Sequence, residues 1–367
     1  MSLRVCFVVN AVDETSVPAD IATALVEHTD VGVDILAWFD AAGFHGDDRV
    51  GLVRLDAPDG TLGVDLRTAR RAWRILGSYD VVQAHHNHSG SFAKLIAAAR
   101  GTPVVSREGN MRRGFTREGL VLNGLTNPLT DRVVCNSRAV YRSFRPWEDR
   151  LLPQEKVVII PNGVDLARID AAADSDWTLA ERADVDPDSV VVGTAGLLEE
   201  QKDQATLLCG LAAARSDSKS PLELVVAGDG PLESDLRALA SDLGVADSVH
   251  FLGRLDREEV YAMLAAIDIY AMPSLWEGFS AAAVEALASG TPAVFSDIPP
   301  FRLPYDDVAL FHPTGDHDAL ADQLVELAAD ERKRADLGAA GRSLVEREYT
   351  IERVAERYRD LYREITA

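Results

Sequence analysis

Apolar runs of five to eight residues alternate with amphipathic stretches almost from one end of the chain to the other. In the first half the runs are "LRVCFVVN", "VDILAW", "VVQAH", "PVVSRE", "RVVCN" and "VVIIPN". They are rich in Val and Ile and lack the polar alternation of a half-exposed sheet, which predicts strands buried on both faces. Between them, "DLRTARRAWRILGSY" and "SGSFAKLIAAAR" space their apolar residues as helices do. Strand and helix in alternation predict a doubly wound parallel α/β domain. After "PNGVD" (Pro161 to Asp165) the periodicity lapses. Ala171 to Ser189 is rich in Asp, and a linker and the entry to a second domain are expected there. The pattern restarts with "SVVVGTAG", "LELVVAGDG", "VHFLG", "IDIYAMP" and "PAVFSD", so a second Rossmann-like half follows. Two further helices are expected, from about Asp318 to Glu348 and from Thr350 to Ile365. Open α/β sheets bind ligands beyond the carboxyl ends of their strands, so two such domains facing a cleft should carry their informative residues just after strands.

The length of 367 residues suits two cores at ~150 residues per domain. No apolar run approaches the ~20 residues that span a bilayer, and Met1 to Asn10 lacks a secretory signal, so a cytoplasmic protein is expected. The net charge is −22, from 37 Asp and 22 Glu against 32 Arg and only 5 Lys. A chain this acidic does not bind nucleic acid through a general basic field. Its Asp excess and Lys depletion point to a halophile, where molar salt shortens the screening length to ~3 Å. A GC-rich genome would favour Arg over Lys but leaves the acid excess unexplained. Cys6, Cys135 and Cys209 are far apart in apolar runs, which fits buried, inert thiols in a reducing compartment.

The sharpest local feature is Glu277-Gly278-Phe279-Ser280, followed by three alanines and then Val284 and Glu285. Ser280 is a good N-cap, and the alanines leave the first helical turn open for an anion. Glu285 is the only charge between Gly278 and Ser296, in a run that otherwise reads as buried. A carboxylate there needs hydrogen-bond donors, and sugar hydroxyls would supply them; a small solvated window on the helix is the plainer alternative. Lys202 lies where strand gives way to helix and could stabilise a departing diphosphate. Gly196, Gly228, Gly230 and Gly253 follow strands, either to let a ligand approach or simply to turn the chain, and Arg254 follows Gly253.

Together these residues resemble the E-x7-E element of the family 4 glycosyltransferases. "VVCNSRAVYRSF", "GLLEEQKDQATLL", "VVAGDGPLESDLRALASDLG", "VHFLGRLDREEV", "DIYAMPSLWEGFS" and "YTIERVAERYRDLY" extend the similarity over nearly the whole chain. The resemblance implies a GT-B fold. Residues 1–165, completed by a returning C-terminal helix at 350–367, would bind the acceptor, and residues 166–349 the nucleotide sugar. It implies retaining transfer from a UDP- or GDP-sugar to a glycan, lipid-linked or small-molecule acceptor, with the nucleotide sugar as co-substrate and neither metal nor other cofactor. Glu277 and Lys202 would be catalytic, Glu277 at the donor sugar and Lys202 at the diphosphate. Glu285 would hold the ribose, and the amides of Gly278, Phe279 and Ser280 the phosphates.

The chain also departs from the family. Leu197 stands where an arginine is usual, the glycine-rich loop after the first strand is replaced by "NAVDETSVP" with Ser16 as the nearest stand-in, and "PVVSREGNMRR" lacks the family's histidine. An epimerase or hydrolase of the same fold, or a catalytically silent partner of an active transferase, therefore stays open. His85, His86 and His88 follow a strand. On an extended chain the first two point to opposite faces, which argues against a metal site; a purely structural role stays open beside an acceptor or phosphate contact, for which His86 and His88 are the better candidates. Arg107, Arg112, Arg113 and Arg117 crowd eleven residues, either as a solvated loop or as a site for an anionic acceptor at the inner face of a membrane.

Overall fold

The computed structural model describes residues 3–12, 16–41, 47–57, 66–85 and 88–367. The chain divides into two units, Met1–Gly163 with Ile351–Ala367, and Val164–Thr350. The first contains β1 (Arg4–Ala11), α1 (Val17–His28), β2 (Gly32–Asp40), β3 (Gly51–Arg54), α2 (Leu66–Leu76), β4 (Val81–His85), α3 (His88–Arg100), β5 (Val104–Glu108), α4 (Arg117–Thr126), β6 (Arg132–Cys135), α5 (Arg138–Arg142), α6 (Pro146–Leu151) and β7 (Val157–Ile159). The second contains α7 (Leu166–Ala173), β8 (Val190–Ala195), α8 (Gln204–Asp217), β9 (Leu222–Ala227), α9 (Glu233–Asp242), β10 (Val249–Gly253), α10 (Arg257–Ala266), β11 (Ile269–Met272), α11 (Ala281–Ala288), β12 (Ala293–Ser296), α12 (Pro299–Tyr305), β13 (Leu310–His312), α13 (His317–Ala329) and α14 (Glu331–Glu348). The last helix, α15 (Ile351–Thr366), belongs to the first unit.

Both sheets are parallel throughout, in the orders β3-β2-β1-β4-β5-β6-β7 and β10-β9-β8-β11-β12-β13. Helices cover both faces, which explains the unbroken apolar runs. Along β1, Val5, Phe7 and Val9 enter a core with α1 and α15, while Cys6 and Val8 enter a second core with α2 and α3. Tyr358 and Tyr362 of α15 are fully buried, and the Tyr362 hydroxyl donates to Gln83 Oε1 on β4 at 2.6 Å.

Three expectations need correction. The edge strands β3 and β13 were not foreseen, because four and three residues, most of them half-buried, give too short a run to register. The helix expected from Asp318 to Glu348 is two helices, broken at Asp330, whose carboxylate accepts the Lys333 amide at 2.9 Å and caps α14. The Asp-rich stretch after Ala171 is no linker. Leu179 is buried in a core of the second unit, with Trp177 and Val185 packed against that core. Cys6 and Cys135 are buried free thiols, and burial pushes both well above the ordinary thiol range; Cys209 is free and half-buried.

Candidate active site

In the second sheet, chain order reverses between β8 and β11. Connections from these two strands leave in opposite directions, and the crevice between them at the carboxyl edge is where such sheets bind ligands. The loops following β8 and β11 flank it and are tied together by the Leu275 amide donating to the Gln201 carbonyl at 2.9 Å. Lys202, on the first loop, donates through Nζ to Glu277 Oε1, on the second, at 2.6 Å. Ser274 Oγ donates to the same oxygen at 3.1 Å. The Glu277 side chain is 5% exposed and that of Lys202 18%, so the carboxylate is the enclosed partner and the ammonium the accessible one. Asp203, next to Lys202, holds φ 49° and ψ 44°, a left-handed conformation unusual for a side-chain-bearing residue, at the start of α8.

The glycines divide by cause. A Cβ on Gly228 would lie 1.9 Å from the Gly196 carbonyl oxygen, and one on Gly230 2.5 Å from that of Leu198. Their absence of side chain lets the loops after β8 and β9 close on each other, and backbone bonds from Gly196 to Ala227 and from Gly228 to Gly253 continue the seam. The need for glycine at 228 and 230 is thus met by neighbouring backbone, without a ligand. Gly253, at φ 70°, faces open space. Arg254 beside it is exposed and pairs with no carboxylate among the described residues. Leu197 is 56% exposed.

Ser280 caps α11 by accepting the Ala283 amide at 3.2 Å. Gly278 and Phe279 lead into this helix, and Phe279 packs on the core beside Tyr349. Glu285 is half-buried rather than enclosed, with the Tyr261 hydroxyl 3.5 Å from its Oε1. Burial, and then the charges of Glu285 and Glu277, push the Tyr270 hydroxyl above its ordinary range, so both carboxylates act on one tyrosine.

The first unit has its own reversal, between β1 and β4. There Asn10 Oδ1 accepts the Ser89 amide at 3.2 Å. Ser16 stands at the N-cap of α1. His86 lies outside the described residues. His88 opens α3 instead of continuing a strand, so the expected extended geometry does not apply to it, and His85 is buried with its ring centroid 5.0 Å from that of Phe7.

The arginine cluster is split by burial. Arg112 is no acceptor-side residue: it is 2% exposed and locked between Glu108 at 2.8 Å and Glu148 at 2.9 Å, with Phe144 under its guanidinium. Arg107 is half-buried and donates to Asn162 Oδ1, whereas Arg113 and Arg117 are exposed. Lys94 joins the Arg112 network, wholly buried and bonded to Asn123 and Asn127 at 2.6 and 2.7 Å. None of Lys94, Glu108 and Glu148 was foreseen. A Glu closing the buried strand "PVVSRE" was the available signal.

These two parallel-sheet units form a GT-B fold, the architecture of nucleotide-sugar glycosyltransferases. Residues 18–168 match the model described as Glycosyltransferase Family 4, and residues 175–344 that described as Glycosyl transferases group 1. A D-inositol 3-phosphate glycosyltransferase of Xylanimonas cellulosilytica is 30% identical over 80% of this chain and 74% of its own. A phosphatidyl-myo-inositol mannosyltransferase of Mycobacterium leprae is 29% identical over 76% of this chain and 71% of its own. The chain belongs to glycosyltransferase family 4 and is a glycosyltransferase. Two other curated relatives are matched over only 61% and 54% of their own length. Among solved structures, Anabaena HepE in complex with UDP superposes with a TM-score of 0.81 at 16% identity, covering 99% of this chain and 100% of that one.

Proposed function

We propose that the second unit binds a UDP- or GDP-sugar at the β8/β11 crevice and that the sugar passes, with retention and without metal, to an acceptor held by the first unit. The observation that carries this reading is the Lys202–Glu277 pair, formed by two loops that meet at the reversal of strand order. Lys202 turns its accessible ammonium to the diphosphate and offsets the charge that develops as the sugar leaves. Glu277 holds Lys202 in place and faces the donor sugar. The open first turn of α11 receives phosphate oxygens on its amides, and Arg254 adds the cation missing at Leu197. Glu285 accepts from the ribose hydroxyls. A diphosphate oxygen on the same face of the sugar takes the acceptor's proton, which yields retention. Names of two relatives share an inositol phosphate, which supports an acceptor bearing an anionic phosphate.

Glu285→Gln tests the donor half. Hydrogen bonds to a charged group contribute ~1.5–3 kcal/mol, so donor affinity should fall by roughly 10- to 100-fold with melting unchanged. Calorimetry with UDP- and GDP-glucose and GDP-mannose reads this directly, and wild-type affinity in the variant would remove Glu285 from the site. Release of free sugar and nucleotide without any acceptor would point to hydrolysis instead.

We further propose a salt-accumulating cytoplasm as its setting. Self-repulsion among 59 acidic residues weakens as molar KCl shortens the screening length to ~3 Å. The melting temperature should therefore rise steadily from dilute buffer to molar KCl, and a flat profile argues for an ordinary-salt origin.

A further inference from the structure

Two wholly buried serines stand behind the Lys202–Glu277 pair, and donor binding as proposed above gives neither of them a task. Ser274 lies in the loop between β11 and α11, and Ser296 ends β12, the strand that pairs in parallel with β11. Each is 0% exposed. A hydroxyl taken out of water costs free energy unless it is hydrogen-bonded, and alanine would fill either position with no polar group to satisfy. What matters is therefore where the two hydroxyls point. Ser296 Oγ donates to the Ser274 carbonyl at 2.6 Å, and Ser274 Oγ donates to Glu277 Oε1 at 3.1 Å. A two-step chain thus runs from the end of β12 to the carboxylate.

The two oxygens of Glu277 are not alike. Oε1 accepts from both Ser274 Oγ and Lys202 Nζ, which occupies both of its lone pairs, whereas Oε2 accepts from no group among the described residues. With the side chain 5% exposed, that second oxygen has little access to water, and a ligand hydroxyl would supply the donor it lacks. The two donors on Oε1 also differ. The ammonium has three protons and is 18% exposed, so it can turn toward an arriving phosphate. Ser274 has one proton and no exposure, so its bond persists. A carboxylate held by one donor turns readily about its terminal torsion, because such sp³–sp² torsions are broad. Two donors on one oxygen fix its plane.

We infer that Ser274, braced by Ser296, is a positioning residue that commits Glu277 Oε1 and thereby aims Oε2 at a hydroxyl of the donor sugar. This inference rests on the donor site proposed above and names the atom in it that meets the sugar. When the diphosphate draws on Lys202, Ser274 is the donor that keeps the carboxylate in line. Both serines are enclosed, so neither touches the nucleotide. The share of binding that depends on Ser274 is therefore the sugar's alone, and it is carried by a neutral hydroxyl donating to a charged oxygen.

The test compares, by calorimetry on the full chain, the affinity for UDP with that for UDP-glucose, and the affinity for GDP with those for GDP-glucose and GDP-mannose. Ser274→Ala should weaken binding of the nucleotide sugar that the wild type prefers by roughly 10-fold, the scale of one hydrogen bond to a charged group, and leave the matching nucleoside diphosphate within about twofold. Ser296→Ala should show the same selective loss at a smaller size, and it carries the test if Ser274→Ala does not fold. Glu285→Gln weakens nucleotide and nucleotide sugar together and so marks the donor site. Unchanged affinity of the serine variants for the nucleotide sugar, or an equal loss for the nucleoside diphosphate, would overturn the inference while Glu285→Gln still reports the donor site. A wild type that binds none of these ligands, or a Glu285→Gln variant that binds them all as the wild type does, would bring down the donor reading and this inference with it.

Discussion

Lys202→Met is expected to lower kcat/KM by roughly 10²- to 10³-fold, the usual loss when one preorganised charge facing a transition state is removed. The same change should destabilise the second unit, because Glu277 would remain enclosed with Ser274 its only donor among the described residues. Partial access to water limits that cost to about 2 kcal/mol, below the ~3–5 kcal/mol of a fully buried broken pair. These two effects can be separated. In Lys202→Met/Glu277→Gln the enclosed charge is gone, so the melting temperature should return most of the way to wild type while turnover stays low. Recovery of turnover in the double variant would make the pair a structural tie and nothing more. The prediction follows from unequal exposure: an ion pair built only for stability has no need to leave its cation open to solvent beside a crevice. In the proposed donor site an arriving diphosphate would compete with Glu277 for that cation, and a shared Lys202 is how donor binding would be felt across both loops.

Much of this site was legible because its signals are local. Ser280 before three alanines announces a capped, open helix start, and the structure places its hydroxyl on the Ala283 amide. Strand type was legible for the same reason, since burial on both faces removes polar alternation from every central strand. What the sequence hid is pairing across distance. Lys202 and Glu277 are 75 positions apart, and nothing in either loop alone says that one will meet the other. Arg112 was misjudged because four arginines in eleven residues look like a solvated patch, whereas the carboxylates that neutralise Arg112 come from a strand end and from α6.

Glu108→Ala is expected to destabilise the first unit by about 3–5 kcal/mol, the cost of leaving buried charge uncompensated. Glu108 is the hub of its network: Oε2 accepts from Arg112 at 2.8 Å, and Oε1 from Asn123, Asn127 and Ser106 at 2.8, 3.1 and 3.0 Å. Without it, Arg112 keeps Glu148 as its one carboxylate among the described residues, and the wholly buried ammonium of Lys94 loses the stronger of the two carboxylates acting on it, with Glu148 the weaker one left. The pH profile carries the signature. Burial alone would raise the Glu108 carboxyl, but Arg112, Lys94 and the side-chain hydrogen bonds outweigh it and hold the group at about 2, below the ordinary 4.5. A depressed carboxyl contributes stability that is present above pH 4.5 and is lost as pH falls toward 2, here roughly 3 kcal/mol. Lys94 works in the opposite window. Burial lowers it to about 8, so between pH 8 and 10.5 the folded protein holds fewer protons than the unfolded chain and this group's contribution rises with pH. Urea unfolding of the wild type should therefore weaken between pH 4.5 and 2 more steeply than that of Glu108→Ala, with the two curves converging at the acid end. Parallel curves across that range would show that Glu108 is not charged in the folded protein, and the network would have to be redrawn around a neutral acid.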